Sequence, residues 1–379
     1  MSEIKSKLPH VGTTIFSVMS KMAADYKAIN LSQGFPNFPV APKLVENYER
    51  VIRGDYNQYM PMPGSPQLLT EIGQKVETHY NRKVNPDNDI LVTAGATEAI
   101  FATIQALIHK GEEAIVLDPS YDCYAPTVEL AGGTPIHVNM EADFSIDWDK
   151  VEDAISAKTK LLIINNPHNP GGTVLSEQDL EAIEQIMERN PHIFLLSDEV
   201  YEFIHFEQKH ISINTRKAIR KRAMIVSSFG KTFHVTGWKV GYLVAPKYIM
   251  DEVKKIHQYI VFTVNSTAQQ TLANYLPKAN LSQLSSFYQK KRDFFRELMK
   301  NSRFELLDCQ GTYFQAARYN EISNLGDVDF ATELTQKHGV AVIPVSGFNK
   351  DKHDDHLIRF CFAKDEETIL KATEILCKI

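Results

Sequence analysis

The chain reads as an α/β protein with a mostly parallel seven-stranded sheet between helices, followed by a smaller α+β domain. Three observations point there. Seven short apolar runs recur between residues 90 and 244, with helix-like stretches between them. The runs are continuous rather than alternating, as strands need to be when helices cover both faces of a parallel sheet. Several of them stop at small or polar residues, which at the carboxyl edge of such a sheet stand where ligands bind.

The runs are Ile90-Leu91-Val92, Ala114-Ile115-Val116-Leu117, Ile136-His137-Val138, Leu161-Leu162-Ile163-Ile164, Ile193-Phe194-Leu195-Leu196, Met224-Ile225-Val226 and Tyr242-Leu243-Val244. They define a large domain over residues 45–275. Ahead of the strands, apolar spacing predicts helices over Pro42 to Arg53 and Pro66 to Tyr80. Residues 1–44 are loop-rich, because Gly34, Pro36 and Pro39 preclude a helix interior there. Past Tyr275 a periodic, charged helix (Leu281 to Lys300) precedes strand candidates at Thr312-Tyr313-Phe314, Val340 to Ile343 and Leu357 to Phe362. Residues 1–44 together with 276–379 are expected to form the small domain.

With 379 residues, 43% hydrophobic and 23% charged, the composition is that of an ordinary globular protein longer than one typical domain. A net charge of −6 argues against nucleic acid or an anionic membrane as partner. Cys123, Cys309, Cys361 and Cys377 show no CxxC spacing, so neither a zinc site nor a disulfide framework is expected. The opening MSEIKSKLPHVGTTIF has no apolar signal core, and no long apolar segment follows, which makes the cytoplasm the expected location. The loop His353-Asp354-Asp355-His356 holds metal-ligand residue types, but adjacent charges ahead of a strand read as solvated, and no metal is expected.

The chemistry gathers at the strand ends. Thr93-Ala94-Gly95-Ala96-Thr97 opens a helix with small residues, so its free N–H groups and positive dipole end can cradle a phosphate. Tyr121, after the second strand, offers a plate for a flat ring. Asn169 sits between two X-Pro steps that hold it at the sheet edge. Asp198 follows Ile193-Phe194-Leu195-Leu196 after a single serine and is costly to bury without a cation, with Tyr201 close behind. Lys231, in Ser227-Ser228-Phe229-Gly230-Lys231, is placed to lose solvent and with it a proton, becoming a nucleophile. A phosphorylated, cationic, aromatic aldehyde needs that whole set.

On these segments, with Gln33-Gly34-Phe35-Pro36, Gly237-Trp238-Lys239 and Ile358-Arg359-Phe360-Cys361-Phe362, the chain resembles the class I pyridoxal-phosphate aminotransferases of fold type I. The likeness is greatest to the methionine and kynurenine/glutamine aminotransferase branch. The resemblance implies that Lys231 bonds covalently to the cofactor aldehyde and later shuttles the substrate Cα proton. It implies that Asp198 keeps the ring nitrogen protonated, and that Tyr201 and Asn169 hold the ring oxygen while Tyr121 stacks. Ala96, Thr97, Ser228, Lys239 and the other subunit's Tyr59 would hold the phosphate. Arg359 would clamp the substrate carboxylate, with Asn169 and the Gly34 backbone beside it. A homodimer follows, with Phe262 leaning into the neighbouring pocket. Ala96-Thr97 and the Gly171 after Asn169-Pro170 depart from common family residues without removing a charge.

Phe16, Tyr121, Phe262 and Phe348 are the expected side-chain walls, and no second arginine suited to a dicarboxylate stands out. Transfer of the amino group of methionine or other large apolar or aromatic amino acids to a 2-oxo acid is therefore expected. A cysteine-conjugate β-lyase on the same scaffold is the alternative. A non-catalytic cofactor-binding regulator fits less well, since the chain is acidic and no DNA-binding segment precedes the domain.

Overall fold

The computed structural model describes residues 4–379. Every apolar run forms a strand: β1 (Ile90–Thr93), β2 (Glu113–Asp118), β3 (Thr134–Asn139), β4 (Thr159–Asn165), β5 (Phe194–Asp198), β6 (Ala223–Ser228) and β7 (Gly241–Val244). They make one seven-stranded sheet in the order β1-β7-β6-β5-β4-β2-β3. Only β7 runs against the others, pairing antiparallel with both β1 and β6. Successive strand residues enter different cores: Leu161, Ile163, Leu196, Met224 and Val226 pack on one face, Leu162, Ile164, Leu195, Ala223 and Ile225 on the other. Both faces are buried, which is why the runs show no polar alternation.

The helices that bear on the site are α1 (Ile15–Asp25), α2 (Pro42–Ile52), α3 (Pro66–Tyr80), α4 (Gly95–Leu107) and α5 (Ser282–Leu298). In α3, Leu68, Leu69, Ile72 and Val76 form the buried face at helical spacing. Residues 1–44, expected to be loop-rich, contain the unanticipated α1. Thr14 caps it by accepting the Ser17 N–H, and Met19 and Ala23 are buried. The proline-rich stretch that follows does not reach back to Ile15, so nothing opposes this helix.

A second sheet has the order β10-β11-β9-β8, from β8 (Glu305–Leu306), β9 (Phe314–Arg318), β10 (Ile343–Pro344) and β11 (Leu357–Cys361). The expected strand at Thr312 starts at Phe314 instead, because Thr312 takes a left-handed φ of 63°. The expected strand over Val340 to Ile343 splits. Val340–Ala341 pairs in parallel with Ile29–Asn30, and Ile343–Pro344 joins β11. The chain's beginning is thereby stitched to its end, and Cys361 N–H donates to Leu31 O at 2.8 Å.

Candidate active site

The carboxyl ends of β1, β4, β5 and β6 open onto a cavity of about 270 Å³, closed from the far side by Gly34, Phe314 and Arg359. Of the residues predicted from sequence, Phe16, Gly34, Ala96, Thr97, Tyr121, Asn169, Asp198, Tyr201, Ser228, Lys231, Lys239 and Arg359 all line it. Tyr59 and Phe262 do not. They stand edge to face on the surface, ring centroids 5.7 Å apart, 84% and 50% exposed. Phe348 lies behind the wall, its ring 5.4 Å from that of Phe16.

Asp198 is the last residue of β5 and 3% exposed. Burial pushes its carboxyl up to about 6, against the Tyr124 hydroxyl, which donates to Oδ2 at 2.7 Å, and the Val200 N–H, which donates to Oδ1 at 3.3 Å. An acid held in this state gains from any cation placed before it.

Lys231 lies on the single helical turn Phe229–Thr232 that follows β6. Its Nζ donates to the Tyr313 hydroxyl at 2.9 Å and to Gly34 O at 3.1 Å, while Tyr313 donates to the same carbonyl at 2.6 Å. Burial lowers its pKa from 10.5 to about 8, with the Arg359 charge acting in the same direction. About a tenth of the amines are then neutral at pH 7, against fewer than about one in a thousand for an ordinary lysine.

The predicted phosphate cradle is assembled from three segments. α4 starts at Gly95 with φ +77°, and Ala94 supplies no side-chain cap to the helix N–H groups. A methyl on Gly95 would meet Lys239 Nζ at 3.3 Å, so the ammonium lies against the helix start. Gly241 sits opposite Thr93 on one side and Ser228 on the other. A Cβ there would come within 2.7 Å of Ala96 N, so only glycine permits the approach.

Arg359 occupies the middle of β11 and is fully buried. Nη1 donates to Asn169 Oδ1 at 2.6 Å and Nη2 to Ser32 O at 2.9 Å, while Nε, buried as well, has no acceptor. The guanidinium lies 3.8 Å from the Phe314 ring centroid and 5.5 Å from those of Phe16 and Phe348. Burial lowers its pKa to about 10, so it stays charged near neutrality. Asn169 N–H donates to Asn165 Oδ1 at 2.8 Å, and Asn165 Nδ2 donates to Asp198 O at 2.9 Å. A chain of amides therefore links the arginine to the acid.

The sequence gives no role to Asn165, Tyr124, Tyr313 or Phe314. Tyr124 is the one with a readable signal, three residues beyond Tyr121 at a helix start. Tyr313 and Phe314 read as ordinary apolar strand residues. The set fits the phosphorylated aldehyde and its substrate: a desolvated amine, an acid raised by burial, an uncapped helix start under an ammonium, and a buried arginine in the cavity wall whose Nε–H has no acceptor.

Residues 26–376 match the family model of the class I and II aminotransferases. The chain is 47% identical to a methionine aminotransferase of Escherichia coli strain K12, over 98% of this chain and 97% of that one. It is 32% identical to a kynurenine–oxoglutarate transaminase of Dictyostelium discoideum, over 97% and 94%. A crystal structure of an Escherichia coli protein assigned a methionine aminotransferase function superposes with a TM-score of 0.97 at 46% identity, covering 100% of both chains. The N-succinyldiaminopimelate aminotransferase of Mycobacterium tuberculosis gives 0.94 at 33% identity, covering 99% of this chain and all of the other. No helix among the described residues is long and apolar enough to cross a membrane. The chain belongs to the class I and II aminotransferases of fold type I, and is a pyridoxal-phosphate-dependent transaminase.

Proposed function

We propose that the enzyme moves the α-amino group of methionine, and more slowly of other large apolar or aromatic amino acids, to a 2-oxo acid. The observation that carries this is the setting of Arg359: one buried arginine with an unengaged Nε–H, lodged among Phe314, Phe16 and Phe348. Such a site takes one carboxylate bidentately and offers the rest of the substrate aromatic walls. The 47% identity to a methionine aminotransferase supports the same choice.

When bound, pyridoxal phosphate supplies an aldehyde carbon for covalent capture and a conjugated ring that withdraws electrons from the substrate Cα. Lys231, kept partly neutral by burial, provides the amine for that capture and afterwards moves the proton on and off the substrate Cα. Asp198 would pair with the ring nitrogen and hold its proton. Tyr201 and Asn169 would hold the ring oxygen, and Tyr121 the ring itself. Ala96, Thr97, Ser228 and Lys239 would receive the phosphate. Arg359 and Gly34 fix the carboxylate, so that the Cα–H bond is presented to Lys231.

We assign residues 45–275 to the cofactor-binding domain, and residues 1–44 with 276–379 to the domain that carries Arg359. We infer a homodimer in which Tyr59 and Phe262, exposed on a single chain, complete the neighbour's pocket. Steady-state rates with methionine, phenylalanine, glutamine and aspartate, each against several 2-oxo acids, test the specificity. Methionine should give the highest kcat/KM. Phenylalanine should follow within about 10–200-fold, the range that apolar side-chain differences allow. Aspartate as the best donor would overturn the assignment.

A further inference from the structure

The turn from Ser32 to Phe35 is fixed by side chains at every carbonyl. Ser32 O accepts from Arg359 Nη2 at 2.9 Å, Gln33 O from Lys364 Nζ at 3.3 Å, and Gly34 O from the Tyr313 hydroxyl at 2.6 Å. Phe35 O accepts from the same Lys364 Nζ at 2.8 Å. At the entry of the turn, Asn30 Oδ1 accepts from Ser32 N, Ser32 Oγ and Gln33 N. Arg359 and Lys231, which also donates to Gly34 O at 3.1 Å, line the cavity beside Gln33 and Gly34, whereas Tyr313 and Lys364 hold the turn from outside that lining.

Lys364 is the unusual member. It is 3% exposed, and among the described residues it forms no ion pair with a carboxylate. Its charge meets two peptide carbonyls and the Phe35 ring at 5.0 Å. A buried ammonium gives up hydration, a loss that a carboxylate ordinarily offsets. Lys364 lies five residues beyond Arg359, just past the end of β11. Two buried cations without an acidic partner therefore flank one turn of backbone, and in a low-dielectric wall their fields add at the space before it.

We propose that Lys364 is a positioning residue for substrate carboxylate binding. By gripping Gln33 O and Phe35 O it sets the Gly34 peptide at the cavity wall, and its unbalanced charge draws the carboxylate toward Arg359. The proposal rests on the reading of Arg359 as the carboxylate clamp, and the test separates the two. The holoenzyme is titrated calorimetrically with 3-phenylpropionate, a carboxylate that lacks the amino group and does not react. Lys364→Met should weaken its binding by about tenfold and raise KM for the amino donor by as much, with kcat within about twofold of native and pyridoxal-phosphate affinity unchanged. Lys364→Arg, which keeps the charge and the donors, should recover most of the loss. Native-like binding in Lys364→Met, where Arg359→Met loses it, overturns the role of Lys364 alone. Unchanged binding in Arg359→Met overturns the clamp and the proposal together. Loss of cofactor and a lowered Tm in Lys364→Met, without recovery in Lys364→Arg, reduces Lys364 to a support of the fold and also overturns it.

Discussion

Lys231 and Arg359 line the same cavity from opposite sheets, and burial does opposite service in the two places. At the end of β6 it takes a lysine from 10.5 to about 8 and delivers a nucleophile near neutrality. In β11 it takes an arginine from 12.5 to about 10, and the side chain stays a cation. The desolvation is similar in kind. The starting proton affinity and the planar fork of the guanidinium decide the outcome. A transaminase needs both results within one pocket, one group that gives up its proton and one that never does.

The largest break in this contrast is Lys231→Ala. Transamination should fall by at least about four orders of magnitude in single-turnover assays, since capture and proton transfer are lost together. The native apoprotein sharpens the point. Because the charged form is the one burial disfavours, the neutral amine accumulates as pH rises through about 8, and the labelling rate of Lys231 by an amine-directed reagent should follow that curve. A midpoint near 10.5 would mean that burial does not act on the lysine.

Arg359→Lys comes next. It keeps a donor but loses the fork, and a buried lysine is open to the proton loss seen at Lys231. We expect kcat/KM for methionine to fall by about 10–100-fold, carried by KM, with the deficit growing as pH rises. A pH-independent deficit would show that only geometry was lost.

The smallest effect should come from Tyr124→Phe. Its hydroxyl favours the ionised form of Asp198, so removing it raises that carboxyl pKa beyond about 6. Pyridoxal-phosphate affinity should weaken by about tenfold, more at pH 6 than at pH 8, because protonation cancels the attraction to the ring cation as pH falls. Equal weakening at both pH values would make Tyr124 a packing residue.

The contrast also explains what could be read from the sequence. The seven strands were legible because both faces of the sheet are buried, and Asp198, Asn169 and Lys231 were legible because polar residues within a few positions of an apolar run, set among glycines and prolines in the last two cases, are conspicuous. Arg359 stands inside a strand among apolar neighbours and took its role from the family resemblance rather than from any local pattern. Tyr313, Phe314 and Lys364 carry no local signal at all, since their partners lie 279, 45 and more than 300 residues away. The two-residue strands Ile29–Asn30 and Glu305–Leu306 are too short for any period to show. Helix α1 was readable from Ile15, Met19, Met22 and Ala23, but the proline-rich loop after it dominated the view of that segment.

The reversed strand β7 has a consequence for how the enzyme is made. Its first residue, Gly241, is the rung on which Thr93 and Ser228 meet, so the phosphate cradle does not exist until β7 has entered between β1 and β6. β7 is also the last of the seven strands to leave the ribosome. Cofactor added to a refolding mixture should therefore select chains whose sheet is complete and favour them by mass action. The vitamin-derived group would then act as an inspector of assembly before it takes part in any turnover.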